Sequence, residues 1–191
     1  MGSLLARIHL NRTIGYGDLT QPENLSSDPS LHFSTKFQEG LEECRGHLPQ
    51  RLIDQCLLYY DQNRVHFTSL DGPCMIHRDF RAGNVIADNN TSQGVIDWSS
   101  ARSGFAEEDF CPLEHGEWTC STSVKKAFLS GYSSIRPVPH YTSIMPLLRL
   151  SKAIAVIGFT VKRGLWNHRH ARLYALNRQF LDLLLFQSGE I

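Results

Sequence analysis

The sequence carries no surplus of charge of either sign. Its 191 residues contain 19 lysines and arginines and 19 aspartates and glutamates, so the formal net charge is zero. Proteins that hold polyanions usually present an excess of basic residues. The composition therefore gives no support for a nucleic-acid partner or an anionic membrane surface, and any electrostatic function must be local.

The sequence also lacks paired cysteines and a long apolar run. Its five cysteines are odd in number and never spaced as Cys-x-x-Cys, which favours reduced thiols in a cytoplasmic protein over a disulfide framework. The first residues have neither the basic stretch nor the apolar core of a signal peptide. The most apolar segment, residues 144–161, contains Pro146, Arg149 and Lys152. It is therefore predicted to be a core helix and not a membrane span.

What is present is an ordinary globular composition, 41% hydrophobic and 20% charged, whose length favours a single domain over residues 1–191. Apolar residues at the helical period predict helices at 4–10, from Ser34 to about His47, from Pro49 onward, and at 123–132, 146–163 and 169–187. Short apolar runs predict a strand at 74–76 and a hairpin formed by 84–87 and 94–97. We therefore expect a mostly helical α+β domain with small β-hairpins.

One stretch, residues 77–98, concentrates residues with chemical potential. It contains Asp79, then Asn84 five positions later, and Asp97 thirteen positions beyond that. Phosphoryl transfer requires an oriented acceptor hydroxyl and a divalent metal held against the phosphate oxygens. Asp79 suits the first task, and the oxygens of Asn84 and Asp97 are ligands that Mg²⁺ accepts. The predicted hairpin would bring Asn84 and Asp97 close together.

The motif residues resemble a known family. His-Arg-Asp-Phe-Arg-Ala-Gly-Asn at 77–84, followed by Val-Ile-Asp-Trp at 95–98, is similar to the aminoglycoside phosphotransferase and choline kinase-like family, small-molecule relatives of the protein kinases. The family pattern is a His-x-Asp-x-x-x-x-Asn loop and then Ile-Asp-Trp or Ile-Asp-Phe on the next strand. Residues 4–10 and 15–17 resemble the helix and loop that begin the family's C-terminal lobe. The resemblance implies that lobe of the protein kinase-like fold.

The resemblance also implies roles for individual residues. Asp79 would be the catalytic base, and Asn84 and Asp97 would bind Mg²⁺ and, through it, ATP or GTP. His77 would tie the loop to its surroundings, and Asp109 would brace the metal-binding segment. The implied reaction transfers the γ-phosphate of the nucleotide to a hydroxyl of a small molecule such as an aminoglycoside, an amino alcohol or a sugar.

Two departures from the family pattern introduce arginines. The family commonly has Gly after the motif His and His-Pro before Gly-Asn, whereas this chain has Arg78 and then Arg81-Ala82. The loop also resembles the Asp-Leu-Arg-Ala-Ala-Asn loop of some tyrosine kinases. We hypothesise that Arg81, two residues beyond Asp79, offsets charge on the transferred phosphate and acts as a catalytic residue.

No glycine-rich nucleotide loop, strand lysine or hinge precedes Leu4. We therefore expect the chain to correspond to the C-terminal lobe alone, with the N-terminal nucleotide lobe absent, supplied by a longer protein or by a completing chain, or lost together with activity. The alternative function is a non-catalytic, degenerate kinase lobe that acts as a binding or interaction module. A protein kinase activity is suggested by His77-Arg78-Asp79. It is opposed by Ile-Asp-Trp in place of Asp-Phe-Gly and by the lack of a recognisable activation segment.

Acidic residues follow the motif at Glu107, Glu108, Asp109, Glu114 and Glu117. The simplest interpretation is a solvated loop. The alternative is a negative wall for a cationic acceptor such as an aminosugar or a quaternary amine. Cys111, His115 and Cys120 lack a fourth ligand at the usual zinc spacing, so no zinc site is expected.

Overall fold

The computed structural model describes residues 1–89, 91–115 and 121–188. The helices in these ranges are α1 (Gly2–His9), α2 (Pro29–Cys44), α3 (Gln50–Asn63), α4 (Cys111–Glu114), α5 (Thr122–Ser133), α6 (Met145–Lys162) and α7 (Ala171–Ser188). The strands are β1 (Cys74–Ile76), β2 (Val85–Asp88), β3 (Thr91–Val95) and β4 (Arg102–Gly104). The predicted mostly helical α+β fold is confirmed. No helix within the described ranges has the length and apolar character needed to cross a membrane.

The chain divides into two compact units, Met1–His32 with Thr68–Ser143 and Phe33–Phe67 with Ile144–Ile191. In the first unit, α1 crosses α5 at very short range because glycine stands at the crossing. A Cβ atom added at Gly2 would lie 1.9 Å from the carbonyl oxygen of Phe128. The two backbones therefore pack directly against each other, with no side chain between them.

The first unit also contains both strand pairs. β1 pairs with β4 in antiparallel register, and β2 pairs with β3 in the same way across a turn. The predicted hairpin is therefore confirmed, although its strands are shifted from the predicted ranges. Asn84 closes a 3₁₀ turn just before β2, and Asp97 lies two residues beyond β3. The two residues thus flank the hairpin and do not lie within its strands.

Helices α3, α6 and α7 and most of α2 form the second unit. Its core holds a stack of aromatic rings from Phe33, Phe37 and Tyr60, with centroids 5.0 to 6.3 Å apart. Cys44 on α2 donates its Sγ–H to the carbonyl oxygen of Ile154 on α6 at 3.6 Å. Burial raises the pKa of the Cys44 thiol to about 12, so this cysteine stays protonated and serves as a packing residue.

The start of α2 corrects one expectation. The sequence predicted a helix from Ser34, but α2 begins at Pro29. Proline is suited to the first helical position because its backbone has no N–H to satisfy. The carboxylate of Asp28 accepts a hydrogen bond from the backbone N–H of Ser30 at 2.8 Å. The helix therefore begins more than one turn earlier than predicted.

A buried carboxylate joins two loops of the first unit. Glu107 is fully buried and accepts a hydrogen bond from the backbone N–H of Asp71 at 2.9 Å. Asp71 in turn forms ion pairs with Arg12 and Arg136. Burial raises the pKa of Glu107 to about 7, although the hydrogen bond from Asp71 opposes the shift.

Replacing Gly2 by Ala should destabilise the protein by about 1–3 kcal/mol, because the new methyl group collides with the backbone of α5. Gly131 on α5 is the matched control, since its added Cβ would be 3.4 Å from the nearest atom, the backbone nitrogen of Ser3. Gly131→Ala should be neutral or slightly stabilising. Urea unfolding of both variants measures the difference. Equal stability of the two variants would show that the crossing is looser than described.

The raised pKa of Glu107 predicts a pH-dependent stability. Between about pH 4.5 and 7 the unfolded chain releases the Glu107 proton while the folded protein keeps it, so the free energy of unfolding falls as pH rises. The loss should reach at most about 3 kcal/mol. Glu107→Gln keeps an acceptor for the Asp71 N–H but cannot ionise, so it should abolish this component. Urea unfolding from pH 4 to 8 tests the prediction, with exposed Glu42→Gln as the control. An unchanged slope in Glu107→Gln would refute it.

Candidate active site

A buried carboxylate holds the loop that begins the motif. Asp109 accepts hydrogen bonds from the backbone N–H groups of His77 at 2.7 Å and of Arg78 at 2.5 Å. Its Oδ2 also lies 3.1 Å from Nε2 of His9, whose Nδ1 is 2.8 Å from the hydroxyl of Tyr132. Asp109 thus holds the loop through the amides of His77 and Arg78 and contacts the imidazole of His9. Its side chain has no exposed surface.

Both ring nitrogens of His77 are committed to the backbone. Nε2 lies 3.0 Å from the carbonyl oxygen of Ile96, which accepts, and Nδ1 accepts from the backbone N–H of Asp79 at 3.3 Å. These partners require the neutral tautomer with its proton on Nε2. The ring of Trp98 packs against His77 with centroids 4.7 Å apart. His77 therefore joins the loop to Ile96, the residue that follows β3. Neither ring nitrogen is left for proton transfer.

The two oxygens of Asp79 have different surroundings. Oδ2 accepts from Nδ2 of Asn84 at 2.8 Å and from Nε of Arg81 at 3.1 Å. No residue in the described ranges donates to Oδ1, and a third of the side chain is exposed. Phe80, between Asp79 and Arg81, is fully buried with its ring near that of Phe128. One oxygen of the carboxylate is anchored and the other is open to a ligand.

Asn84 is buried, and its amide nitrogen donates two hydrogen bonds to Asp79. Nδ2 donates to the backbone carbonyl of Asp79 and to its carboxylate, both at 2.8 Å. These two bonds fix the orientation of the amide. Its carbonyl oxygen Oδ1 receives no hydrogen bond from a described residue, so it is the atom of Asn84 that remains available as a ligand.

Asp97 follows the hairpin in an unusual backbone conformation. Its φ is 63°, in the left-handed region that residues other than glycine rarely adopt. The N–H of the preceding Ile96 donates to the carbonyl of Asn84 at 2.9 Å, so the two predicted metal ligands lie on either side of one backbone hydrogen bond. The Asp97 carboxylate is exposed and accepts from Oγ of Ser99 at 2.9 Å.

The acidic segment is not the solvated loop that the sequence suggested. Glu107 and Asp109 are fully buried, because each accepts hydrogen bonds from distant parts of the first unit. Glu108 pairs with Arg102, and Glu114 pairs with Lys125. These four acidic residues therefore form no open negative wall, and Glu117 lies outside the described residues.

Sequence reasoning missed three groups that shape this site: His9, Phe80 and the pair Arg102–Glu108. His9 lies on the apolar face of the predicted first helix, which was the available signal for a buried histidine. Phe80 is an aromatic residue inside an otherwise polar loop, which indicates an anchor. Arg102 and Glu108 gave no signal, because nothing in the local pattern identifies their pairing.

The donor atoms suit a hard cation held together with a phosphate ligand. The site offers amide and carboxylate oxygens from Asn84 and Asp97, which are typical of Mg²⁺ sites that take their remaining ligands from water and nucleotide. The described residues contain no group of three or more His, Cys, Asp or Glu side chains that would form a closed metal cage. Of the possible zinc ligands, Cys111 is a buried thiol, and Cys120 lies outside the described residues.

Comparisons with solved structures identify similar folds. The chain is 20% identical to the gentamicin–APH(2")-IIa complex, with a TM-score of 0.59, covering 94% of this chain and 59% of that one. For macrolide 2'-phosphotransferase type I the values are 19%, 0.59, 94% and 56%. A thermostable mutant of aminoglycoside phosphotransferase APH(4)-Ia, in a ternary complex with AMP-PNP and hygromycin B, gives 14%, 0.52, 99% and 66%. The chain thus spans less than two thirds of each of these structures.

At these identities the structural likeness shows the fold alone, which is the protein kinase-like fold that the motif predicted. A comparison with curated proteins found no match. A family model described as the phosphotransferase enzyme family matches residues 1–145, a range that contains the anchored loop, the hairpin and Asp109. Because that match extends over most of the sequence, the chain belongs to the phosphotransferase enzyme family.

Proposed function

We propose that this chain carries the acceptor side and the metal-binding side of a small-molecule phosphotransferase. The reaction would transfer the γ-phosphate of ATP or GTP to a hydroxyl group. The family match supports phosphoryl transfer, and the ligands named for similar structures, gentamicin, hygromycin B and AMP-PNP, support an aminoglycoside-like acceptor and a nucleotide donor. The open oxygen of Asp79 is the observation that carries the proposal.

In this proposal Asp79 orients and deprotonates the acceptor. Its Oδ2 is fixed by Asn84 and Arg81, which leaves Oδ1 to accept the hydrogen bond of an incoming hydroxyl. A base with one anchored oxygen keeps the other in a defined direction, and this preorganisation lowers the cost of aligning the acceptor. The partial exposure of the side chain gives a small molecule access.

Asn84 and Asp97 would hold Mg²⁺ together with the nucleotide phosphates. When bound, Mg²⁺ would stabilise negative charge on the transferred phosphate. The orientation of the Asn84 amide leaves its oxygen available, and the exposed Asp97 carboxylate stands at the other side of the Ile96–Asn84 backbone hydrogen bond. Both groups are therefore prepared to act as ligands before nucleotide binds.

The wider organisation is also proposed. We infer that residues 1–191 correspond to a C-terminal lobe, and that the glycine-rich loop and lysine of a nucleotide lobe come from elsewhere in a longer protein or from another chain. The share of the similar structures that the chain spans agrees with this inference. A cytoplasmic location remains our proposal from the odd number and the spacing of the cysteines.

Replacing Asp97 by Ala should weaken Mg²⁺-dependent binding of ATP by at least about tenfold, because a charged metal ligand is lost. Isothermal titration calorimetry with and without Mg²⁺ measures the effect. Asp88→Ala, an exposed aspartate at the end of β2 in the same hairpin, should leave binding unchanged. Binding that is absent in the wild type, or equal in the two variants, would contradict the metal site and favour a non-catalytic lobe.

Replacing Arg81 by Ala should lower the rate of ATP-dependent phosphorylation of an aminoglycoside such as gentamicin on the order of 10²-fold, with little change in nucleotide affinity. The guanidinium would be lost both as a partner of Asp79 and as a countercharge for the transferred phosphate. Arg81→Lys should recover part of the rate, because it keeps the charge but not the planar fork. Unchanged turnover in Arg81→Ala would exclude this role.

A further inference from the structure

Two arginines converge on one carboxylate in the first unit, and neither has a role in the proposed reaction. Arg102 on β4 donates from Nη2 to Oε2 of Glu108 at 2.5 Å. Nε of Arg78 lies 3.7 Å from the same oxygen. Two guanidinium groups therefore share a single carboxylate oxygen, and neither forms the bidentate pair that arginine and glutamate usually prefer.

Several polar atoms of this cluster have no hydrogen-bond partner among the described residues. Nε and Nη1 of Arg102 are buried and form no hydrogen bond within the described part of the chain, and the same holds for Oε1 of Glu108. The Arg102 side chain is only 7% exposed. The guanidinium of Arg78 also forms no hydrogen bond with a described residue, and its side chain is 36% exposed. Buried donors without acceptors are rare in folded proteins, and each requires an explanation.

The surrounding structure keeps Arg78 at this position. Asp109 binds the backbone N–H of Arg78, and the residue adopts a left-handed φ of 67°. The oxygens of Asp109 contact two backbone amides and His9, and no hydrogen bond among the described residues joins them to either guanidinium group. Desolvation and, after it, the nearby Arg102 lower the pKa of Arg78 from its ordinary value, whereas Glu108 and Asp109 oppose the shift.

We propose that Arg78 and Arg102 form a binding site for the phosphate group of a small molecule, free or esterified. A phosphate dianion supplies several acceptor oxygens for the guanidinium N–H groups that Glu108 leaves without a partner. Water could also accept some of these hydrogen bonds, but charge-assisted bonds to phosphate are stronger. A phosphate group would first contact the partly exposed Arg78, because Arg102 is buried.

Glu108 competes with the proposed ligand. Its carboxylate already touches both arginines, and Gly104 leaves it the necessary room, because a Cβ at that position would lie 2.7 Å from Oε1. Since the free donors of Arg102 are shielded from solvent, phosphate must displace Glu108 from the pair or move the Arg78 side chain aside. Because Arg78 directly precedes Asp79, an anion bound here would act on the loop that carries the proposed base.

Calorimetric titration of the full chain with inorganic phosphate, without nucleotide or Mg²⁺, tests the site independently of the proposed phosphotransferase reaction. Arg78→Gln and Arg102→Gln should each weaken phosphate binding by about tenfold or more, since each removes charge-assisted hydrogen bonds. Arg45→Gln, an exposed arginine paired with Glu42 in the second unit, should bind as the wild type does. Glycerol 3-phosphate in place of phosphate distinguishes an esterified from a free ligand, and the same variants should affect both.

Glu108→Gln should change the affinity for phosphate in the opposite direction. It removes the competing charge, so phosphate should bind several-fold more tightly and raise the melting temperature more than in the wild type. If Arg102→Gln fails to fold, Arg102→Lys and the partly exposed Arg78→Gln still decide the question. Absence of phosphate binding, equal binding by Arg78→Gln and the wild type, or loss of binding only in Arg81→Gln would overturn the proposal.

Discussion

The loop that carries Asp79 depends on one buried carboxylate, that of Asp109. An ionised carboxylate inside a protein is stable only when its lone pairs are satisfied, and here two backbone N–H groups and the His9 imidazole do so. The residues that donate to it come from α1 and from the loop after β1. The same contacts that stabilise the charge therefore determine the path of the backbone through His77 and Arg78, and with it the position of Asp79.

A series of hydrogen bonds connects this loop with Ile96 and Asn84 on the other side of the candidate site. The ring of His77 joins the loop to the carbonyl of Ile96, and the N–H of Ile96 joins that strand end to the carbonyl of Asn84. Asn84 then returns to Asp79 through its amide. The site is a closed circuit of main-chain and side-chain bonds, so a shift of one member is opposed by the others.

Local patterns were sufficient for much of this arrangement. The hairpin, and the closeness of Asn84 to the end of β3, follow from short apolar runs and a turn, all within fifteen residues. The burial of Glu107 and Asp109 was not predictable, because their partners Asp71 and His9 lie 36 and 100 positions away. A run of acidic residues is predicted to be exposed to solvent unless the groups that bury it are known.

The same limitation explains the pairing that was missed and the helix start that was misplaced. Arg102 and Glu108 are near in sequence, but only the antiparallel pairing of β1 with β4 defines the buried surroundings that leave donors of Arg102 unsatisfied. At α2, a helix start at Asp28 and Pro29 was not predicted, because residues 20–29 are rich in residues that form turns. Aspartate and proline in that order are also a good helix start, and the tertiary structure selected this alternative.

The two hydrogen bonds from the Asn84 amide have a consequence for the chemical ageing of the protein. An amide is the side-chain group that donates to Asp79 through nitrogen while keeping an oxygen free on the other side. Deamidation to aspartate would replace that nitrogen by oxygen, so its contacts with the backbone carbonyl and with the carboxylate of Asp79 would both become repulsive. The loop would then lose the two contacts that hold Asn84 to Asp79, so a change at a single atom would disturb the candidate site.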